Sequence, residues 1–120
     1  MNVLGTVEIR DDRIPDARDA IDVYVSVGWG HVSAYNMEAW QQGLGQQGYV
    51  VAAYDGPMLI GLARAVTDGF HDTCLTEIAV RPTYQKKSIG RNMMAMLLKR
   101  FGHTSIYVTS STQVGDFFSK

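Results

Sequence analysis

The chain has 120 residues and a formal net charge of −1, and 46% of its residues are hydrophobic. This length suits one domain with its own core, and the charge excludes a general attraction to nucleic acid or to an anionic membrane. Cys74 is the single cysteine, so the sequence predicts no internal disulfide, and no apolar run approaches the roughly 20 residues that span a bilayer.

The first residues of the chain predict a strand and show no signal peptide. Residues 1–10 lack a basic start and an apolar core, so we expect a cytoplasmic protein. Residues 3–10 are predicted as one strand, with Val7 and Ile9 on the same face.

Two helices are predicted next. Pro15 suits the first turn of a helix, and Gly28 is expected to end it. A second, short helix is predicted over residues 36–44, with Met37, Trp40 and Leu44 on one face. The predicted apolar stripe of the first helix consists of Ala17, Ala20, Ile21, Tyr24 and Val25.

Residues 43–48 spell a literal G-x-G-x-x-G, the pattern of dinucleotide-binding turns. That fingerprint requires a strand before it and a helix after it. Here the predicted order is the reverse, so we interpret these glycines as a connection and assign them no cofactor.

The middle of the chain predicts three consecutive antiparallel strands. Residues 49–54 and 58–66 flank Asp55-Gly56, a strong hairpin signal, and Gly61 indicates a bulge or a close approach. A turn at residues 67–69 leads into a central strand over residues 74–80, which Pro82 ends.

A polar, basic loop and a helix follow the central strand. The helix is predicted over residues 89–101, with Ser88 as an N-cap candidate. A last strand over residues 105–110 must lie parallel to the central strand, because a helix connects the two. The predicted class is therefore α+β, with a mixed, mainly antiparallel sheet and helices on both faces.

The start of this helix has the properties of an anion site. Free backbone N–H groups attract phosphates, and Gly90 lets a ligand approach the backbone closely. Lys86, Lys87 and Arg91 flank it. The alternative is an ordinary strand-to-helix turn with solvated lysines.

Residues 80–91, V-R-P-T-Y-Q-K-K-S-I-G-R, resemble the acyl-CoA loop of the GNAT acetyltransferase superfamily, whose core pattern is [QR]-x-x-G-x-[GA]. Further segments resemble the same family in the expected order: S-V-G-W at 26–29, A-Y-D-G-P-M-L-I-G-L-A-R at 53–64, T-D-G at 67–69 and I-A-V at 78–80. The resemblance implies one GNAT-like domain over residues 1–120. Ser88 replaces the first glycine of the pattern, and it is either strained at positive φ or a simple helix cap.

The resemblance also implies a cosubstrate and its contacts. Acetyl-CoA is expected in a cleft between the central and last strands, with pyrophosphate on backbone N–H groups of the loop and pantetheine paired with the central strand. The implied acetyl-CoA contacts are Ile78, Ala79, Val80, Gln85, Lys86, Lys87, Ser88, Ile89, Gly90 and Arg91.

Two proton transfers need side chains. Glu77 is the candidate general base, with Asp68 and Asp72 as alternatives, although Glu77 could instead form a salt bridge. Phe118 occupies the position of the family's tyrosine acid, in F-F-S-K at residues 117–120, so Tyr107 and Tyr84 are the substitutes.

Trp29 and Asp68 are the implied contacts to the acceptor amine, with core packing as the alternative for Trp29. The three histidines and Cys74 show no metal-ligand spacing, so no metal is predicted.

Residues 113–120 resemble the start of a last helix, and the family's final strand is missing, which implies an open sheet edge. We expect a second protomer to cover that edge, giving a homodimer, or else a marginally stable protein.

Two functions follow from the resemblance. The first is an acetyl-CoA-dependent N-acetyltransferase in which a small-molecule or protein amine attacks the thioester directly. The second is a degenerate GNAT domain that binds CoA or a protein partner without efficient catalysis. No nucleic acid or membrane partner is predicted.

Overall fold

In a computed structural model of the protein, residues 2–4, 6–44, 46 and 48–108 are described, and they form one six-stranded sheet with three α-helices. The strands are β1 (Asn2–Leu4), β2 (Val7–Arg10), β3 (Gly48–Asp55), β4 (Met58–Thr67), β5 (Asp72–Val80) and β6 (Ser105–Val108). The helices are α1 (Ala17–Ser26), α2 (Met37–Gly43) and α3 (Ile89–Phe101), with 3-10 turns at Val32–Ala34 and Pro82–Tyr84. None of the helices in these ranges is long and apolar enough to cross a membrane.

The strands lie side by side in chain order. Neighbouring strands are antiparallel except β5 and β6, which are parallel and are connected by α3. Helix α3 packs on one face of the sheet, while α1 and α2 pack on the other. The predicted α+β class and its mixed sheet are therefore confirmed.

The face under α3 is the larger core. Ile89, Met93 and Leu97 follow one another every four residues along α3, and each is at most 2% exposed. They pack against side chains from β2 to β5, including Ile9, Val51 and Ile78. Burial on this scale contributes about 1.5–3 kcal/mol for each large apolar side chain, which fixes α3 and therefore the loop before it.

Strand β3 is covered on both faces, which explains its unbroken apolar sequence. All six residues from 49 to 54 are buried, because alternate side chains enter the α3 core and the α1–α2 core. The hairpin to β4 turns at Gly56, whose φ is +60°. Gly61 lies beside a register shift, and a Cβ there would be 3.1 Å from the Ala79 carbonyl oxygen. The predicted bulge and the predicted close approach of the backbone are therefore both confirmed.

One prediction at the start of the chain is wrong. Residues 3–10 do not form one strand: β1 and β2 form an antiparallel pair, with Leu4 opposite Val7 and a turn at Thr6. Turn formation allows the short segments to pair with each other, which a continuous strand cannot do. Val7 and Ile9 nevertheless share the buried face as predicted.

Helix α1 begins later than predicted, although Ala17, Ala20, Ile21 and Tyr24 of its predicted apolar stripe are buried. Asp16 is the N-cap, and its carboxylate accepts a hydrogen bond of 2.8 Å from the Arg18 backbone N–H, so Pro15 precedes the helix instead of lying in its first turn. Val23 is fully buried where Val25 was predicted, because α1 turns that side chain toward the sheet.

Candidate functional site

The loop from Arg81 to Ser88 is fixed by side chains that bond back to the sheet. Arg81 donates from Nε to the Leu59 carbonyl at 2.8 Å, and the Tyr84 hydroxyl donates to the Asp55 carboxylate. That bond raises the pKa of Tyr84 and lowers the pKa of Asp55. These contacts hold the loop between the end of β5 and the start of α3 without any ligand.

Gln85, a predicted acetyl-CoA contact, closes the same loop. Its side-chain amide donates to the Val80 carbonyl at 2.9 Å. The structure therefore places Gln85 as an internal brace between the loop and the strand end.

Backbone conformation at the start of α3 answers the question that Ser88 raised. Ser88 has φ +66° and ψ 11°, the left-handed conformation, and its side chain makes no capping hydrogen bond. The capping alternative is therefore wrong, because the left-handed backbone does not aim the hydroxyl at the first-turn N–H groups. Lys86 is also left-handed, with φ +62°.

Backbone N–H groups point out of the start of α3. The first intrahelical bond runs from the Asn92 N–H to the Ser88 carbonyl at 2.9 Å. The N–H groups of Ile89, Gly90 and Arg91 precede that bond, so they have no acceptor within the helix. Together with the helix dipole they favour an anion at this position.

Three exposed cations surround these N–H groups. Lys86, Lys87 and Arg91 are solvent-exposed, and none of them forms a salt bridge within the described ranges. The Lys87 ammonium lies 6.0 Å from the centre of the Tyr84 ring. Their charges are therefore free to bind a phosphate group.

Beyond Leu75, the edge of β5 on the side of β6 has no strand partner among the described residues. Pairing with β6 is described from Asp72 to Leu75 of β5. The Ala79 carbonyl faces β4, since it lies 3.1 Å from a Cβ position on Gly61. Successive residues of a strand face opposite neighbours, so the backbone groups of Ile78 and Val80 face away from β4. An extended ligand can therefore pair with them.

Glu77 lies on the other side of this strand segment, below α1 and α2. It stands opposite Arg64 of β4, and its Oε1 accepts from the Arg64 Nη2 at 2.8 Å. Glu77 shares the α1–α2 face with Ala79, because Ile78 between them faces the α3 core, and Thr76 Oγ1 donates to the Arg64 carbonyl at 2.9 Å. The salt bridge that was the alternative reading of Glu77 is present.

Four aromatic rings lie next to the Glu77–Arg64 pair. Trp29 stacks on Tyr24 at 5.4 Å between ring centres, Tyr35 stacks on Tyr24 at 6.2 Å, and Trp40 lies 5.3 Å from Tyr24. The Arg64 guanidinium lies over the Trp40 ring at 5.0 Å. We call Tyr24, Trp29, Tyr35 and Trp40 the aromatic cluster.

The centre of the aromatic cluster contains an unsatisfied hydroxyl. Tyr24 is 1% exposed, and its hydroxyl has no hydrogen-bond partner among the described residues. Burial raises its pKa, and the nearby Glu77 carboxylate raises it further. Burial and Glu77 also raise the pKa of Tyr35.

Trp29 is positioned by the end of α1. Gly28 has φ +86°, its N–H donates to the Val25 carbonyl at 3.0 Å, and the Trp29 N–H donates to the Tyr24 carbonyl at 3.0 Å. This pair of bonds is a Schellman motif, which normally carries a contact between the residues that Trp29 and Tyr24 represent. Trp29 is therefore partly core, as the alternative reading held, and partly exposed beside Tyr35.

Two predicted site residues lie away from Glu77. Asp68 is in an exposed turn, where its carboxylate accepts from the backbone N–H groups of Phe70, His71 and Asp72, and those bonds lower its pKa. Tyr107 is 55% exposed on β6, opposite Cys74. Cys74 precedes Glu77 by three positions along β5, a distance of about 10 Å.

Two further points concern the end of the chain and metal binding. The F-F-S-K segment at residues 117–120 and the predicted last helix lie outside the described residues. In the part of the chain that the structure describes, no three histidine, cysteine or acidic side chains converge to hold a metal ion.

Comparison with known proteins identifies the family. The model of the acetyltransferase (GNAT) family matches residues 7–117. The chain belongs to the GNAT acetyltransferase family. No curated protein sequence matches it significantly.

Solved structures of GNAT acetyltransferases superpose on nearly the whole chain. A GNAT family protein from Streptococcus pneumoniae TIGR4 is 27% identical, with 94% of this chain and 84% of that chain covered and a TM-score of 0.74. An aminoglycoside acetyltransferase from an uncultured soil metagenomic sample, solved with trehalose, is 16% identical over 95% and 86% of the two chains, with a TM-score of 0.73. An N-acetyltransferase from Thermoplasma acidophilum, solved with coenzyme A, is 21% identical over 94% and 86%, with a TM-score of 0.63.

Sequence analysis did not identify Arg64 as a site residue, and it did not predict that the four aromatic residues form a cluster. A usable signal existed for Arg64, because pairing β4 with β5 through the turn at residues 67–71 places it near Glu77. No sequence signal marks Tyr24 as a site residue, because a tyrosine in the apolar stripe of a helix usually indicates core packing.

Proposed function

We propose that this GNAT protein transfers an acetyl group from acetyl-CoA to a primary amine. The observation that carries the proposal is the loop before α3, which adopts the left-handed backbone at Ser88 despite the missing glycine. The N–H groups of Ile89 and Gly90 and the cations around them then suit a pyrophosphate. In this proposal acetyl-CoA lies against residues 78–80 of β5 and residues 85–91 of the loop, the contacts that the sequence predicts.

Acetyl-CoA supplies a thioester whose carbonyl carbon accepts the amine. The backbone groups of Ile78 and the backbone N–H of Val80 offer partners for the pantetheine, since the Val80 carbonyl already accepts from Gln85. A strand N–H on the same side polarises the thioester carbonyl. Lys86, Lys87 and Arg91 neutralise phosphate charge. Gln85 acts indirectly, by holding the loop to Val80.

Glu77 is the proposed general base. An alkylammonium has a pKa of about 10 and must lose a proton before its nitrogen can attack. The Glu77 carboxylate takes that proton, the new C–N bond forms, and the C–S bond breaks to release CoA thiolate. Because a thiol has a pKa of about 8.5, the thiolate can leave without an acid. Tyr107 stays the predicted proton donor to it, and Trp29 and Asp68 stay predicted acceptor contacts.

Calorimetric titration with acetyl-CoA tests the cosubstrate site. We expect micromolar binding that weakens as salt is added, and a loss of about tenfold or more in the Lys87→Ala, Arg91→Ala double variant, since each contact to a charged group is worth about 1.5–3 kcal/mol. Lys99→Ala is the matched control, because Lys99 is an exposed cation at the opposite end of α3. Equal losses in both proteins would remove the site from this loop.

Thiol release during incubation with acetyl-CoA and simple amines tests the chemistry. Glu77→Gln keeps an oxygen that can accept from Arg64 but cannot take a proton, so we expect kcat to fall by about 10²–10⁴-fold with acetyl-CoA affinity unchanged. Wild-type protein that binds acetyl-CoA but transfers to no amine would support the degenerate, non-catalytic GNAT domain instead.

A further inference from the structure

The acceptor side of Glu77 carries balanced charges. The Glu77 and Arg64 side chains, 15% and 26% exposed, meet at 2.8 Å. Their charges act in opposite directions on the Tyr24 hydroxyl, since Glu77 raises its pKa and Arg64 lowers it. A ligand at this position therefore meets a carboxylate whose charge is already matched.

Arg64 is held in place from several directions. Direct opposition to Glu77 across the β4–β5 pairing fixes its Cα, Thr76 bonds to its carbonyl at 2.9 Å, and the Trp40 ring lies against its guanidinium at 5.0 Å. Moving a planar guanidinium away from both a carboxylate and an aromatic face costs free energy, because both contacts are lost. The charge balance is thus built into the fold.

The surroundings of the pair are apolar and flat. Trp29, Tyr35 and Trp40 are each partly exposed, and they pack around the fully buried Tyr24. Two polar atoms in this region, the Tyr24 hydroxyl and the Arg64 Nε, are buried without hydrogen-bond partners among the described residues. The combination suits a ligand with an apolar body and few polar groups.

We propose that Arg64 determines the acceptor of this enzyme, which is an amine with one positive charge and an aromatic or apolar body and not a polycation. The proposal rests on the proposed acetyl transfer. A polycation loses hydration at every charge that it brings to a partly buried site, and it needs several unpaired carboxylates in return. Glu77, already matched by Arg64, offers no such surplus, whereas the aromatic cluster favours a flat apolar body.

A panel of acceptors tests the preference with the wild-type protein. Phenethylamine and tryptamine are compared with spermidine and sisomicin by CoA thiol release at one ionic strength. We expect kcat/KM for the two arylalkylamines to be larger by about tenfold or more, as the loss of one good charge or apolar contact predicts. A preference for spermidine or sisomicin would overturn this proposal alone. No transfer to any of the four amines, with acetyl-CoA bound, would overturn the proposed transfer and this proposal with it.

Variants at Arg64 test the cause. Arg64→Met leaves the Glu77 charge unmatched, so the ratio of kcat/KM for spermidine to that for phenethylamine should rise by about tenfold, mainly through a lower KM for spermidine. Arg64→Lys keeps the charge and should keep the wild-type ratio. Arg18→Met, at an exposed position of α1, controls for loss of a cation elsewhere.

An unchanged ratio in folded Arg64→Met would refute the role of Arg64. If Arg64→Met does not fold, the Glu77→Gln, Arg64→Gln double variant removes both charges and keeps the hydrogen bond. Its residual transfer, measured at high enzyme concentration, should keep the arylalkylamine preference, and loss of that preference would count against the proposal.

Discussion

Replacing Ser88 by glycine should stabilise the protein, because serine occupies a backbone conformation that glycine adopts without strain. At φ +66° an L-residue carries roughly 1–2 kcal/mol of steric cost, and glycine gives back roughly 0.5–1 kcal/mol through the greater freedom of the unfolded chain. The free energy of unfolding should therefore rise by about 0.5–1 kcal/mol in Ser88→Gly.

Ser88→Ala separates strain from capping. The Ser88 hydroxyl makes no capping hydrogen bond, so its removal should change the free energy of unfolding by less than about 0.5 kcal/mol. A functioning N-cap serine would instead lose about 0.5–2 kcal/mol on the same change. Relative to wild type, the strained geometry therefore predicts a more stable Ser88→Gly and an unchanged Ser88→Ala, whereas the capping geometry predicts a loss in both variants.

Urea unfolding followed by circular dichroism measures both variants against the wild type. Lys86→Gly is a second positive test, since Lys86 has φ +62° in the same loop. Acetyl-CoA affinity in Ser88→Gly should stay within about fivefold of wild type, because the loop already has its left-handed conformation and at most about 1 kcal/mol is released. A Ser88→Gly protein less stable than Ser88→Ala would refute the left-handed assignment.

Three further changes test the surroundings of the site. Tyr24→Phe removes a buried hydroxyl that has no hydrogen-bond partner among the described residues, so stability should stay equal or rise by up to about 1 kcal/mol, measured by thermal and urea unfolding; a clear loss would reveal a hidden bond. Arg81→Ala should cost about 1.5–3 kcal/mol, because the Leu59 carbonyl loses a charged donor, while Asp22→Ala, which removes only the exposed salt bridge to Arg81, should cost less than about 1 kcal/mol. Asp68 has a pKa below its unfolded value, so its contribution is present above about pH 4 and is lost as the pH falls further; in Asp68→Asn the unfolding free energy should depend less steeply on pH between 2 and 5, and an unchanged slope would contradict this.

The elements predictable from sequence are those in which local signals agree with burial. The boundaries of α3 were predictable because Ile89, Met93 and Leu97 share one face and Gly102 follows the last turn. The hairpin at Gly56 was predictable because only a tight turn fits between two apolar runs. The split of residues 3–10 into β1 and β2 was not, since nothing local shows that two such short segments pair with each other.

The basic composition of the loop before α3 was predictable from sequence, but its backbone conformation was not. Basic residues after a strand and before a helix indicate a phosphate site, yet φ at Ser88 depends on how the loop closes against Val80 and Asp55. Those closures come from Gln85 and Tyr84, whose roles are tertiary. Sequence therefore leaves two readings of Ser88, and packing decides between them.

The surroundings of Glu77 show the same difference between what the sequence predicts and what the packing decides. Glu77 was found from its place on the central strand, but its chemistry depends on the residue opposite, and the β4–β5 register makes that residue Arg64. Alternation along β5 places Glu77 on the same face as Ala79, under α1 and α2, whereas Ile78 and Val80 face the α3 core. Strand alternation thus places the proposed base on the face that carries the aromatic cluster. We therefore expect related GNAT proteins with a different residue opposite the base to differ in the charge of the preferred acceptor and not in cosubstrate binding.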